Sequence, residues 1–388
     1  MGIRIGCGLS TASDVRSGAI AAGRAAAGAL GGRPVDLAVV FASGSHLAAP
    51  ETTLEAVHEA CDPDQLIGCG AGGVLGGSQE IEDATAVVVW AAALGEGTAT
   101  TFHATSDPDT GFDGVPGLAG ASGVILLPDP YSFATDVLLR RLHREAPGVP
   151  VLGGLSSGRT FEHTAALFHD ELVHESGMVG ARLDGVEMLP CVSQGAAPLG
   201  PELTITRAEG HVIAELAGKS ALAKLREVFE ELTDRERGLI NGGLLVGLVI
   251  DAGKPEYEQG DFLVRGLLGA DPEVGSIAVG APVSTGQIVR LHARDARSAD
   301  RDLREALGLR RTALGGRPPA GALMFTCNGR GRGMFGVPDH DSGTLAAELG
   351  AIPTAGFFAA GEIGPVGGES FLHGFTATVA VFPGSADA

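Results

Sequence analysis

One arrangement of elements occurs three times along this chain, and that recurrence limits the fold more than any other feature. Residues 36–44 (DLAVVFASG) read as a buried apolar strand. Residues 52–60 read as a helix with Leu54, Val57 and Ala60 on one face, and 65–73 (QLIGCGAGG) as a second strand ending in glycines. The order returns at 123–130 (GVILLPDP), 132–146 and 150–158 (PVLGGLSSG). It returns again at 322–331 (ALMFTCNGRG), 341–350 and 353–364 (PTAGFFAAGEIG). Strands alternating with helices call for α/β units with some parallel pairing.

Other stretches fit between or before these units. A helix capped by Asp14 runs to Leu30 and stops at Gly31-Gly32. Residues 165–185 alternate and break at 175–177, and 203–218 break at 209–210, as hairpins do; 261–269 and 287–295 also read as strands. Helices are expected at 220–232, with Leu222, Leu225, Val228, Phe229 and Leu232 on one face, and at 298–307. The expected fold is α/β and two-lobed, with repeated strand-loop-helix-strand units in mixed sheets and added β-hairpins. The expected domains are 1–217 and 218–388.

Charge and cysteine usage narrow the function classes. The 388 residues carry a formal net charge of −20, and both nucleic acid and anionic membranes need a basic surface, so neither is an expected partner. The apolar runs ATAVVVWAAAL and LINGGLLVGLVI are too short to span a bilayer, which takes about 18–20 residues. Five cysteines without a C-x-x-C pair read as reduced thiols, and the N-terminus has no signal-peptide core; a soluble, cytoplasmic protein is expected.

Three motifs fail on their context. GCGAGG (68–73) fits a dinucleotide fingerprint in letters, but no helical pattern follows it. DPDTGFDG (107–114) resembles a calcium loop whose closing acid would fall on Leu118. GLSSG (154–158) fits a nucleophile elbow centred on Ser156, yet alternating strand sequence follows where the elbow needs a helix. No metal-ligand spacing appears, and no metal or cofactor is expected.

Two motifs stand out. CNGRGRG (327–333) follows an apolar strand, and its glycines let the backbone turn sharply or approach a ligand. Arg330 and Arg332 place planar cationic forks there, suited to carboxylate or phosphate; two solvated arginines are the alternative. In AAGEIGP (359–365), Glu362 stands between Gly361 and Gly364 at the end of an otherwise apolar strand. Ligands of open α/β sheets bind at the carboxyl ends of strands. If the two strands are parallel neighbours, Arg330 and Glu362 converge, and one cation beside one anion suits a zwitterion such as an amino acid. A purely structural Arg–Glu pair is the alternative. Cys327 lies beside the arginines, and cationic neighbours favour the thiolate, so it is a candidate reactive thiol; a buried core cysteine is the alternative.

Taken together, FTCNGRG, GFFAAGEIGP and FLHGFTATVAVF resemble the C-terminal half of the FIST family. DLAVVFASG, LIGCGAGG, the PVLGG strand and ALFHDELVHESGMVGARL resemble its N-terminal half, and the likeness runs from about Pro34 to Phe382. The resemblance implies a small-molecule-binding sensory module, with amino acids proposed as ligands. Cys327, Gly329, Arg330 and Gly331 match the family's Cys-x-Gly-Arg-Gly loop, and Gly361, Glu362, Ile363 and Gly364 match its Gly-Glu-Ile-Gly turn. Asn328 fills the variable place. The N-terminal half keeps Gly68, Cys69 and Gly73 of the family's pattern but has Gly70 and Ala71 for its hydroxyl pair and Val74 for its acid. With Ser43 these form a secondary candidate set, and the C-terminal half is favoured as the binding half.

The function expected is therefore a sensory, signal-transduction input protein that binds a small polar metabolite, its output passing to a separate partner protein. Two alternatives stay open: an enzyme using Cys327 or Ser156 as nucleophile, with His340 or His373 as the base to look for, and an interaction module without a ligand.

Overall fold

The computed structural model describes residues 2–240, 243–257 and 260–385. It divides into two compact units. One comprises Met1–Val192, Leu303–Leu372 and Ala377–Ala388, the other Ser193–Asp302 and His373–Thr376. The expected boundary at 217/218 falls inside the smaller unit. That unit is an insertion: the chain leaves the larger unit after one strand of its third repeat and returns in the helix that follows.

The larger unit is built from the three repeats, each centred on one sheet. In the first, strand Leu37–Ser43 is parallel to Leu66–Gly70 and antiparallel to Ala86–Ala93. In the second, Gly123–Pro128 is parallel to Val151–Gly154 and antiparallel to Met178–Asp184. In the third, Pro319–Cys327 is parallel to Thr354–Ala359 and antiparallel to Thr376–Pro383. A further strand flanks each: Arg4–Ser10, Thr98–Asp107 and Leu189–Gln194. None of these three, nor the strands at 86–93 and 376–383, was among the expected elements.

Each repeat then lends a hairpin to a neighbour. Gly73–Gly76 of the first repeat pairs with Thr354–Ala359 of the third. Glu362–Val366 of the third pairs with Val151–Gly154 of the second. Leu167–His169 of the second pairs with Leu66–Gly70 of the first. The exchange closes as a ring and its register is equivalent: Leu75 faces Gly356, Ile363 faces Gly153, and Phe168 faces Gly68. This corrects two expectations. The glycine-ended stretches 65–73 and 353–364 each break into two strands in different sheets. Glu362 accordingly begins a lent strand and does not end the one before it.

The same glycine explains each repeat. A Cβ on Gly68, Gly153 or Gly356 would lie 2.2, 1.8 or 1.8 Å from the carbonyl oxygen of Val40, Leu126 or Met324 on the facing parallel strand. No side chain fits there. The glycine-rich ends of the repeats also meet: Gly72 N–H donates to Ser157 Oγ at 3.0 Å, and Ser157 Oγ in turn donates to the Phe358 carbonyl. Between the sheets lies an apolar core in which the Phe41 and Phe357 rings lie 4.8 Å apart, tilted by 37°, and Phe325 meets both edge-on or nearly so. Fully burying one such ring contributes about 1.5–3 kcal/mol.

The smaller unit is a barrel-like sheet. Its strands run in the order Ala196–Glu209, Ile288–Arg294, Leu244–Val249, Phe262–Asp271, Ser276–Val279, Val212–Leu216 and Lys219–Ser220, and Ala196–Glu209 pairs again with Val212–Leu216 to close it. Helix Ala221–Glu231 packs on it through Leu225 and Val228.

Candidate functional site

Strands Pro319–Cys327 and Thr354–Ala359 are parallel neighbours, so their carboxyl ends lie side by side, with Cys327 opposite Ala359. Beyond them the loop is tied down by its backbone: Asn328 N–H donates to the Ala359 carbonyl at 2.9 Å and Arg330 N–H to the Cys327 carbonyl at 2.8 Å. Gly331 has φ +71, which L side chains rarely adopt, and a Cβ there would sit 2.7 Å from Glu82 Oε2. Arg332 N–H donates to Glu82 Oε1 at 3.0 Å. The hairpin lent by the first repeat thus covers the loop of the third.

Arg330 turns inward from this loop and is 2 % exposed. Its Nε donates to Asp341 Oδ2 at 2.6 Å and its Nη2 to Oδ1 at 2.9 Å. Thr326 Oγ1 donates to Oδ2 at 2.6 Å and His340 Nδ1 lies 2.9 Å from Oδ1, so Asp341 has four polar contacts. The His340 ring stacks on Phe335 at 3.4 Å, and the Arg330 guanidinium lies 5.2 Å from the centre of that same ring. Burial works to raise the Asp341 carboxyl, but the Arg330 charge and the hydrogen bonds win and hold it well below the usual carboxylate range. Burial likewise works against the Arg330 charge; Asp341 outweighs it, and Cys327 and Glu362 add smaller contributions that raise its pKa further.

Glu362 is fully buried, faces Gly154 across its strand pair, and lies within electrostatic reach of Arg330. The two expected turns are therefore brought to one buried place. The reading of Arg330 as an open cation needs correction, because Asp341 already takes the Nε and Nη2 edge of its guanidinium. Only Nη1 has no hydrogen-bond partner among the described residues.

Sequence reasoning missed two residues here. Asp341 opens helix His340–Leu349, where an acid is unremarkable as a helix-start residue. Glu80 alternates with Ile81, which reads as a solvent-facing position, but helix His340–Leu349 covers that face. Glu80 is 7 % exposed, its N–H donates to Asp339 Oδ1 at 2.7 Å, and its Oε1 accepts from Ser342 N–H at 2.8 Å. Burial first, then the Asp341 charge, pushes its carboxyl up to about 7. The spacing of 261 positions between Glu80 and Asp341 leaves no local signal.

The other candidates are placed as follows. Ile363 is core, Gly361 faces Leu155, and Gly364 packs on Val192 and Thr378. Gly329 N–H lies 3.5 Å from the half-buried Cys327 sulfur. Ser43 Oγ donates to the Ala84 carbonyl at 2.7 Å, Cys69 is core with its thiol pushed well up by burial, and Gly73 packs on Ile81. Ser156 is 1 % exposed, and no helix follows it, so the elbow geometry is missing. An open groove of about 540 Å³ in the smaller unit, lined by Thr233, Arg235, Asp295 and Arg301 among others, contains no expected site residue. Among the described residues no His, Cys, Asp or Glu cluster could hold a metal ion, and no helix is long and apolar enough to cross a membrane.

Comparison with known proteins finds one family over both halves of the chain. The family model described as the FIST N domain matches residues 36–219, and the FIST C domain model matches 221–365. An uncharacterized protein of Mycobacterium tuberculosis is 45 % identical over 393 residues, covering 98 % of this chain and 100 % of its own. An uncharacterized protein of Mycobacterium bovis is 44 % identical over 389 residues, covering 98 % and 99 %.

Proposed function

Because the chain belongs to the FIST family, through both its N and its C domain, we propose that it is a sensory protein that binds a small zwitterionic metabolite, an amino acid, at the buried cluster around Arg330. FIST domains are generally sensory domains of signal transduction. The observation that carries the ligand reading is the convergence of Arg330 and Glu362 in one buried place, with Arg330 Nη1 left without a partner among the described residues. A ligand carboxylate would accept from Nη1 and a ligand ammonium would face Glu362. The Arg330–Asp341 pair makes the guanidinium a rigid donor, because its position is fixed before any ligand arrives. The loop 327–331 and the turn 361–364 supply the walls. We place the protein in the cytoplasm, given its reduced-thiol composition.

The test is a thermal-shift screen of the whole chain against amino acids, organic acids and amines. A ligand at 100 times its dissociation constant raises stability by about 2.7 kcal/mol. The expected result is a shift with one or more amino acids that Glu362→Gln abolishes. Shifts with organic amines alone, or an amino-acid shift untouched by Glu362→Gln, would remove the reading.

A further inference from the structure

The groove of about 540 Å³ in the smaller unit has the size of a small-molecule site, which is roughly 300–1,000 Å³. All of its walls come from Ser193–Asp302, so it is complete within that unit. One wall is apolar, made by Pro198 and Leu199 of strand Ala196–Glu209 and by Leu239 of helix Asp234–Ile240. The polar groups stand at two helix starts. Thr233, Arg235 and Glu236 come from the first turn of Asp234–Ile240, and Asp295, Ser298 and Arg301 from the first turns of Ala296–Ala313.

The two carboxylates of the groove are already engaged. Glu236 Oε2 accepts from Thr233 N–H at 2.8 Å and from Thr233 Oγ1 at 2.7 Å, while Thr233 Oγ1 accepts from Glu236 N–H at 3.3 Å, a reciprocal cap. Asp295 is 7 % exposed. Its Oδ2 accepts from Ser298 Oγ at 2.7 Å and from Arg235 Nη2 at 3.2 Å, and its Oδ1 from Arg297 N–H at 3.3 Å. The guanidiniums are not used up in this way. Arg235 gives only Nη2 to Asp295, a contact that anchors it from one helix to the start of the other. Arg301 makes no hydrogen bond or ion pair among the described residues.

We propose that this groove is a second ligand site, for a small amphiphile that carries a doubly charged anionic head, phosphate or dicarboxylate, on an apolar body. A guanidinium only donates, and its planar fork matches the oxygens of a carboxylate or phosphate. Two such forks lining one cavity suit a head with two negative charges, and the wall of Pro198, Leu199 and Leu239 suits a hydrocarbon body. A cationic ligand finds no open carboxylate there and meets two positive charges. The chain has 47 acidic residues against 27 basic ones, so a groove whose uncommitted charges are both positive runs against the balance of the whole sequence. The site shares no residue with the cluster around Arg330 and stands or falls separately from it.

The experiment is calorimetric titration of the whole chain at pH 7.5 with phenyl phosphate, phenylsuccinate, inorganic phosphate and benzylamine. The expected result is that phenyl phosphate or phenylsuccinate binds, the tighter of the two identifying the head. Inorganic phosphate, which leaves the apolar wall uncovered, should be weaker by about tenfold or more, and benzylamine should not bind. Affinity should fall with added salt, as ion pairing near the surface requires. Arg301→Gln should weaken the bound amphiphile by about tenfold or more; its side chain holds no contact that folding depends on. Arg297→Gln, on the same helix but outside the groove, should leave binding unchanged. The proposal is overturned if neither amphiphile binds, if inorganic phosphate or benzylamine binds as tightly, if Arg301→Gln has no effect, or if Arg297→Gln weakens binding equally, which would show general attraction to a cationic surface.

Discussion

At the scale of single residues, the pairing of Arg330 with Asp341 dominates. Both are buried, so removing one partner strands a charge in the interior. Asp341→Asn should cost about 3–5 kcal/mol, read from urea unfolding. The double variant Arg330→Met/Asp341→Leu should recover much of that loss, because neither charge is then stranded; a double variant less stable than Asp341→Asn would contradict this account. Thiol chemistry belongs at this scale too. Cys7 and Cys61 are pushed up to about 12 by burial, and Cys69 is fully buried and Cys191 nearly so, whereas Cys327 is half-buried and lies at a strand end beside Arg330. Iodoacetamide should therefore alkylate Cys327 first in the native protein, followed by mass spectrometry; Cys69 labelling at an equal rate would mean that the native core opens on that timescale.

Elements obey the repeat. The close approach at Gly68, Gly153 and Gly356 sets the strand-to-strand fit in each sheet, so Gly356→Ala should lower the melting temperature sharply by forcing the strand at Met324 to move. Gly343→Ala is the matched comparison. It lies within helix His340–Leu349 with nothing near its would-be Cβ, and it should stabilise by about 0.4–1 kcal/mol. Equal effects of the two substitutions would show that parallel-strand contact is not what selects glycine. The ring of lent hairpins adds a second consequence. Glu80 and Glu82 belong to the FIST N segment, and the helix start and loop that they touch belong to the FIST C segment. Within the larger unit, the two segments build one cluster.

For the whole molecule, buried titratable groups set the pH response. Burial pushes His46, His174 and His292 down to about 4 from the usual 6.5. The unfolded chain then binds more protons than the folded one as pH falls, so stability is full above about 6.5 and declines between about 6.5 and 4. Asp341 acts in the same sense at lower pH, since its carboxyl is held down and must be protonated for the ion pair to fail. Glu80 acts in the opposite sense. Its carboxyl is raised, so the folded state binds the extra proton, and its contribution falls as pH rises from about 4.5 to about 7. Denaturant unfolding at pH 5, 6, 7 and 8 should therefore show Glu80→Gln gaining on the parent as pH rises. Parallel curves for the two would mean that Glu80 keeps the same proton affinity folded and unfolded.

The sequence by itself determined the repeat. Periodicity, helix stops and glycine-ended strands are local signals, written within about ten residues of each other, and they marked three units, the loop of Cys327 and the turn of Glu362. That strands 322–327 and 354–359 are parallel neighbours was a condition in the sequence reading, and the register supplies it. The exchange of hairpins lay beyond that reading, because an alternating pattern fixes which face of a strand is apolar and not which sheet receives it. For the same reason Glu80 reads as solvated until a helix from the far end of the chain covers it, and Arg330 reads as open until Asp341 closes on it. Hydrophobic pattern is a property of neighbours in sequence. Burial of a charge depends on which distant partner arrives, and only the assembled sheets decide that.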